Sequence, residues 1–473
     1  MLISTTQKNE NGALTHEIHQ NNHDELSQVG GGDIVNNNSN VTSQNPPLWN
    51  NPILYLINIH ILVCLHAFSW WALSQSVDHP LRKHIITQPL SFIHKTITTI
   101  PETIMIPTIN NHNISVIISE YFPSDETVIC TSFLAGPLFG FVIIPMIDYF
   151  YNGKEYVYMN QEHDKKEIDS QTRDYSTLYR MVPIIYTISL TCLFFYSLSR
   201  VHLLTAEQFL MHSISLGVAL GQSGAVSHDL LHKRTFIENL CARIILIFHG
   251  YLHFPLEHVY SHHKKAATPQ DAATARFGEN LYNFAVRSCI GGYMNAWHID
   301  TEHRERRRRR FNTTLPSLLF SEMFWSTVSL VLFASFVFYK FGTLGLSSYL
   351  LTALIAIILI ECVNYIEHYG LKRKLRDDGE YEPVNETHSF DALFRMSSYA
   401  YFNIVFHADH HFYATREYYK LRVYEKSPKL PFGYSTMILI SFIPPLYFSL
   451  MNPIVFEFYR DRGVDYEKLL NQE

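Results

Sequence analysis

The chain has 473 residues, a formal net charge of −6, only 17% charged residues and 14% aromatics. An average soluble protein carries about 25% charged residues, so a secreted or purely soluble protein is excluded, and the mildly acidic balance supplies no field that would hold nucleic acid. Six cysteines with no CxxC pair exclude a disulfide scaffold, a thiolate zinc module and a built-in iron–sulfur domain.

Residues 1–46 are Asn-rich (NNNSN), nearly free of aromatics, and are expected to form a disordered tail. They lack the basic start and apolar stretch of a signal peptide. A first span and a non-cytosolic loop are expected over 47–127, a membrane domain over 128–456 and a cytosolic tail over 457–473. A membrane helix needs about 20 apolar residues. Six runs free of Asp, Glu, Lys and Arg qualify, at about 52–76, 128–147, 181–199, 208–226, 323–339 and 341–360. They predict an all-α, polytopic membrane protein with about six transmembrane helices.

Basic residues gather between Lys233 and Arg310, whereas the loop 77–127 holds only Arg82, Lys83 and Lys95. The excess of Lys and Arg on cytosolic connections puts both termini and the basic block in the cytosol. The run RERRRRR at 304–310 reads first as a solvated, orienting face and second as a dock for an acidic electron-donor protein. Two apolar segments are read as interfacial or re-entrant: 235–254, which contains Glu238 and Arg243, and 431–456, which is broken by Pro444-Pro445. If 235–254 crossed the bilayer, the histidines on its two sides would be about 30 Å apart.

The 26 histidines include four groups at the cytosolic edge of this plan. They are His228-Asp-Leu-Leu-His232, Glu257-His258-Val-Tyr-Ser-His262-His263, Asn364-Tyr-Ile-Glu367-His368-Tyr-Gly370 and His407-Ala-Asp409-His410-His411. Spacings of i, i+3 and i, i+4 put rings on one helix face, as chelation of a single ion requires. Nine imidazoles exceed what one ion takes, so two metals are expected, in a nitrogen-dominated site whose metal the spacing alone does not name. Glu257, Glu367, Asp229, Asp409 and Asp271 are read as acceptors behind the ligands, each able to hold a ring's far N–H. His60, His66 and His212 are read as satisfied core residues.

These boxes resemble the integral-membrane desaturase–hydroxylase superfamily and, within it, the alkane omega-hydroxylases (alkane 1-monooxygenases). That family's HExxHK box is matched by HDLLHK, its EHxxGHH by EHVYSHH followed by ATPQDAATARFGENLYNF, its NYxEHYG by NYIEHYGL, and its HSDHH by HADHH followed by LPFGYSTM. The resemblance spans about 128–456. Carried over, it implies a non-haem diiron centre on the cytosolic side. His228, His232, His258, His262, His263, His368, His407, His410 and His411 would be its ligands, with no catalytic residue beyond the metal site. Asp271 matches an acidic position near that site, and His253 a further histidine taken to stand behind the ligands. Departures are Asp229 for Glu, Ser261 for Gly, Ala408 for Ser, and Ile-Val-Phe for Leu-Gln-Arg before the last box; none removes an expected ligand.

The resemblance also implies an activity: O₂ as co-substrate gives one oxygen to the terminal carbon of an alkane or alkyl chain held within membrane lipid, forming a primary alcohol. Phe139, Phe141 and Trp325 are candidates for setting chain length, against a lipid-packing role. With no GxGxxG turn and no CxxC, electrons are expected from a separate rubredoxin-like donor and its NAD(P)H reductase. The alternatives are a fatty-acyl desaturase or hydroxylase of the same superfamily and, more remotely, a His-rich metal transporter. The membrane would be the endoplasmic reticulum in a eukaryote or the inner membrane in a bacterium.

Overall fold

A computed structural model describes residues 52–74, 133–150, 176–312 and 317–470. The expected tail over 1–46 and the loop over 77–127 lie outside the described residues. Every named element is a helix, and among the described residues there are only isolated β-bridges. Four helices are long and apolar enough to cross a membrane: α1 (Pro52–Ser74), α3 (Ser176–Arg200, extended by one tighter turn), α4 (Ala206–Leu231) and α8 (Glu322–His368). The protein is a helical membrane protein.

Five of the six apolar runs fall on long helical limbs, and one is shorter than a span needs. The run 128–147 yields the shorter helix α2, Ala135–Phe150. The runs 323–339 and 341–360 are two limbs of α8, joined where Gly342 takes φ 67° and ψ −166°, a left-handed region that favours glycine. The ring centroids of Phe333 and Tyr349 are 5.3 Å apart. On a straight helix those positions would be separated by about 24 Å. The limbs are therefore antiparallel, and Glu322 and His368 come to the same end of the bundle.

The segments read as interfacial are helical and short. Helix α5 (Phe236–Phe248) has 13 residues, about 20 Å at 1.5 Å per residue, too short to span. It is amphipathic, with Phe236, Ile237 and Leu240 exposed and Ala242, Ile245 and Leu246 buried. Thr235 caps its first turn through the Glu238 amide, and Arg243 bonds Glu322 at 2.5 Å, tying α5 to the start of α8. At the other end of the chain, α11 (Tyr434–Ser441) stops before Pro444-Pro445, which open α12 (Pro444–Arg460); proline suits a first helical turn but not an interior.

The remaining elements are α6 (254–265), α7 (Leu281–Phe311), α9 (Arg395–Ala400), α10 (His407–Phe412) and α13 (Tyr466–Leu470). Helix α4 begins with a capping box between Thr205 and Gln208. It lies close against the second limb of α8: a Cβ at Gly217 would stand 2.7 Å from Ile355 Cβ, and one at Gly221 2.5 Å from Leu359 Cδ1. This contact sets the ends carrying His228 and His368 side by side. Buried Asp148 of α2 accepts from the Met396 amide at 2.8 Å and from Ser397 Oγ at 2.6 Å, anchoring α9. An aromatic cluster of Tyr55, Tyr179, Tyr399, Phe402 and Tyr418 knits α1 and α3 to the segments on either side of α10.

Candidate metal centre

The nine histidines singled out in the sequence converge. Their ring nitrogens form two groups, one of His228, His232, His258, His263 and His410 and one of His262, His368, His407 and His411, with the donor atoms of each group within 4.8 Å of one another. All but His263 are buried, and His263 is half-buried. Nε2–Nε2 separations are 3.0 Å for His258–His263, 3.1 Å for His263–His410, 3.1 Å for His368–His407 and 3.0 Å for His407–His411. Adjacent ligands at a right angle about one ion, each roughly 2.1 Å from it, stand about 3.0 Å apart. The spacing thus fits nitrogen donors arranged around a cation.

Four elements contribute these rings, and local backbone geometry decides which ring joins which group. His228 and His232 sit one turn apart at the end of α4. In α6, His258–His262 forms a wide π-turn, so the residue five positions on, His263, shares a face with His258. His262 turns instead to the second group. The i, i+4 reading of His258 and His262 as one chelating pair is corrected by this turn. In α10, His407 and His411 stay together while His410 joins the first group.

Burial first, then the proximity of other imidazoles, holds His258, His263, His407, His410 and His411 well below 6.5. Burial likewise lowers His232 to about 3. Neutral imidazole is the ligating form. Burial also disfavours charge on His262, but the Asp271 carboxylate outweighs it and the ring is pushed up to about 9.

The expected acceptors divide. Asp271 meets the expectation: its Oδ2 takes His262 Nδ1 at 2.9 Å and Thr274 Oγ1 at 2.6 Å, which leaves His262 Nε2, otherwise without a partner, to face the group. Glu367 stands on the other side of its ring, with Oε2 3.2 Å from His407 Nε2, a nitrogen that faces the group, and Oε1 held by Tyr434 at 2.8 Å. Asp409 holds no ring; Arg416, Tyr424 Oη at 2.7 Å and the Arg422 amide at 3.0 Å take its carboxylate. Asp229 pairs with Lys233 at 2.9 Å. Glu257 is buried beside Gly292 with Oε1 unpartnered, its carboxyl pushed up by burial and by Asp271. His253 belongs to neither group and packs on Tyr251 and Tyr293.

Sequence reasoning missed three supports. The His388 carbonyl oxygen lies 3.1 Å from His368 Nδ1. Tyr434, inside the LPFGYSTM stretch, holds Glu367. Asp391 accepts from the Ala408 amide at 3.0 Å and so steadies α10. Tyr434 carried a signal through that stretch. His388 and Asp391 have no ligand-like spacing and could be found only from the fold.

Two small cavities adjoin the site, sharing Gly221, Val363 and Tyr401. The inner one is lined by His228 and Glu367 together with Gly224, Phe254 and Asn364. The outer one continues along α4 and α8 past Val218 and Leu359 to Phe141 of α2. Trp325 is 49% exposed and lines neither.

Residues 207–439 match the family model described as fatty acid desaturase. Alkane 1-monooxygenase 2 of Alcanivorax borkumensis is 33% identical over 327 residues, 68% of this chain and 82% of that relative. The alkane 1-monooxygenase of Acinetobacter baylyi is 34% identical over 333 residues, 69% of this chain and 78% of its own length. Alkane 1-monooxygenase 1 of Pseudomonas aeruginosa is 36% identical over 247 residues, 52% of this chain and 63% of its own length.

Proposed function

Because this chain belongs to the alkane 1-monooxygenase family, we propose that it hydroxylates the terminal carbon of an alkane or alkyl chain at a diiron centre ligated by the nine histidines. The observation that carries the reading is the convergence of nine rings into two groups, one of which reaches a largely apolar cavity through His228. The donor set is compatible with that assignment: closely spaced imidazole nitrogens without cysteine suit iron as they suit zinc, copper and nickel, and the oxygenase reading selects iron among them. Bound there, two iron ions would supply the O₂ chemistry that an unactivated C–H bond demands. In the overall balance one oxygen atom goes to the carbon and the other leaves as water, with two electrons and two protons arriving from outside.

The chain's own residues hold this arrangement. Asp271 keeps a proton on His262 Nδ1 and the His388 carbonyl keeps one on His368 Nδ1, so the Nε2 atoms of both rings face inward. Tyr434 donates to Glu367 and fixes that carboxylate beside His407. The cavity walls between α4 and α8 orient an apolar chain with its end toward His228 and exclude water. A separate rubredoxin-like protein, with an NAD(P)H reductase, supplies the electrons from the cytosolic side.

The test supplies membranes containing the chain with a rubredoxin, its reductase, NADH, ¹⁸O₂ and a mixture of medium-chain alkanes and fatty acyl lipids. A primary alcohol carrying ¹⁸O, absent with His368→Ala, is the expected product. New unsaturation without labelled alcohol would make the chain a desaturase instead. Metal flux without oxidation would make it a transporter.

A further inference from the structure

The last turns of α7 carry Arg304 and the five consecutive arginines Arg306–Arg310, and two observations place them at the membrane boundary. First, Asp300, four positions before Arg304, caps the start of the spanning helix α8. Its Oδ1 accepts from the Glu322 amide at 2.7 Å, and its Oδ2 accepts from Ser321 Oγ at 2.7 Å and from Arg304 Nε at 2.8 Å. Second, the Arg307 guanidinium lies 5.4 Å from the ring centre of Phe320, which immediately precedes that cap. Since Glu322 and His368 share one end of the bundle, the arginines stand on the same side as the candidate metal centre.

The local carboxylates do not balance this charge. Glu302 pairs with Arg306 at 2.7 Å and Glu305 with Arg309 at 3.6 Å, both in exposed i, i+4 geometry. Arg307, Arg308 and Arg310 are exposed and have no carboxylate partner among the described residues. A helix C-terminus favours cations, but that effect fades within one turn, and it does not call for five of them. Around them, Phe311 is 64% exposed, Leu318 50%, Leu319 53% and Trp325 49%, with Trp325 Nε1 donating to the Leu319 carbonyl at 3.1 Å. Guanidinium groups above an exposed apolar shelf with an indole at its edge match a phosphate layer over hydrocarbon. A face built only to be solvated has no use for the shelf.

We propose that Arg307, Arg308 and Arg310 bind the phosphates of anionic phospholipids in the leaflet on the metal-centre side, with Phe311, Leu318, Leu319 and Trp325 seated in that leaflet beneath them. The proposal rests on the membrane-spanning character of α8 and is independent of the reaction catalysed.

The full chain is reconstituted in phosphatidylcholine vesicles, and association of spin-labelled phosphatidylglycerol is compared with that of spin-labelled phosphatidylcholine. The wild type is expected to favour phosphatidylglycerol, less so at high salt. R307Q/R308Q/R310Q lowers that preference by roughly fivefold for each arginine removed. E302Q/E305Q, which frees Arg306 and Arg309, raises it, a gain that misfolding does not produce. Equal association of the two lipids with the wild type, or a preference unchanged in both variants, overturns the proposal. So does a triple variant that keeps the lipid preference but weakens binding of an acidic electron-donor protein, since the surface then docks protein.

Discussion

Asp271 follows the second histidine box and Asp409 lies inside the last one, and both are fully buried, yet they act on different things. Asp271 reaches a ring, and its charge is what lifts His262. Asp271→Asn removes that charge and loosens the ring's orientation. Metal affinity is expected to fall about 10- to 100-fold, measured as metal retained after dialysis against graded chelator in a protein that still folds. Asp409 reaches Arg416, Tyr424 and the Arg422 amide. Asp409→Asn leaves the half-buried Arg416 guanidinium without its counter-charge and weakens the buried acceptor for Tyr424 and the Arg422 amide, which costs about 1–3 kcal/mol. Its expected signature is the reverse: a large drop in metal-free stability, with metal binding lost only because the fold is lost. Equal behaviour of the two variants would show that the carboxylates are not divided between ring and scaffold.

At the level of elements, two contacts set where the rings stand. The first is the glycine seam between α4 and α8. Gly221→Val would force the helices apart, at a cost of about 1–3 kcal/mol, and would also narrow both cavities that Gly221 lines. A lower unfolding midpoint together with product shifted toward shorter chains is expected; a lower midpoint with unchanged chain-length distribution would remove the cavity from substrate selection. The second contact is Arg287 of α7, which bonds Glu279 at 2.8 and 2.7 Å and the carbonyls of Ala272 and Thr274 at 3.0 and 2.9 Å, clamping the loop that presents Asp271. Burial works against the Glu279 charge, but Arg287 outweighs it and holds the carboxyl below 4.5. A depressed carboxylate contributes stability above its unfolded value and loses it as pH falls through the folded value. The difference in unfolding midpoint between wild type and Arg287→Met is therefore largest above pH 4.5 and closes as pH falls further; a pH-independent gap would mean the clamp works through packing alone. Elements also mark how far the sequence could be read. The nine converging rings were picked out from helical-turn spacing and, for His368, from the resemblance of its motif. The division of His258, His262 and His263 between two groups was not, because a π-turn leaves no compositional mark. The hairpin was legible as two runs divided at Lys340, while the φ of 67° at Gly342 belongs to the packing of the two limbs.

Across the whole molecule, the rings are contributed by α4, α6, α8 and α10, separated widely in sequence and joined at one end of the bundle. The contacts that hold α4 to α8 are apolar and close, so this pair needs no ion to stay folded. Helices α6 and α10 are short, and hydrogen bonds such as Asp271–His262, Asp391–Ala408 and Asp409–Tyr424 help to place them. Without a cation, nitrogens 3.0–3.1 Å apart face one another as neutral rings, several with a second nitrogen buried and unpartnered. A metal that binds only the folded state adds RT ln(1 + [L]/Kd), about 2.7 kcal/mol at a hundredfold excess over Kd. Chelator treatment is therefore expected to lower the thermal unfolding midpoint and to open the segments around 254–280 and 407–430 to amide hydrogen exchange, while α4 and α8 keep their protection and the helical circular dichroism is retained. Returning ferrous iron should restore both midpoint and protection. If chelation removes metal but leaves exchange at 407–430 unchanged, the rings of α10 are not ligands, and the two-group centre is wrong in the half that depends on them.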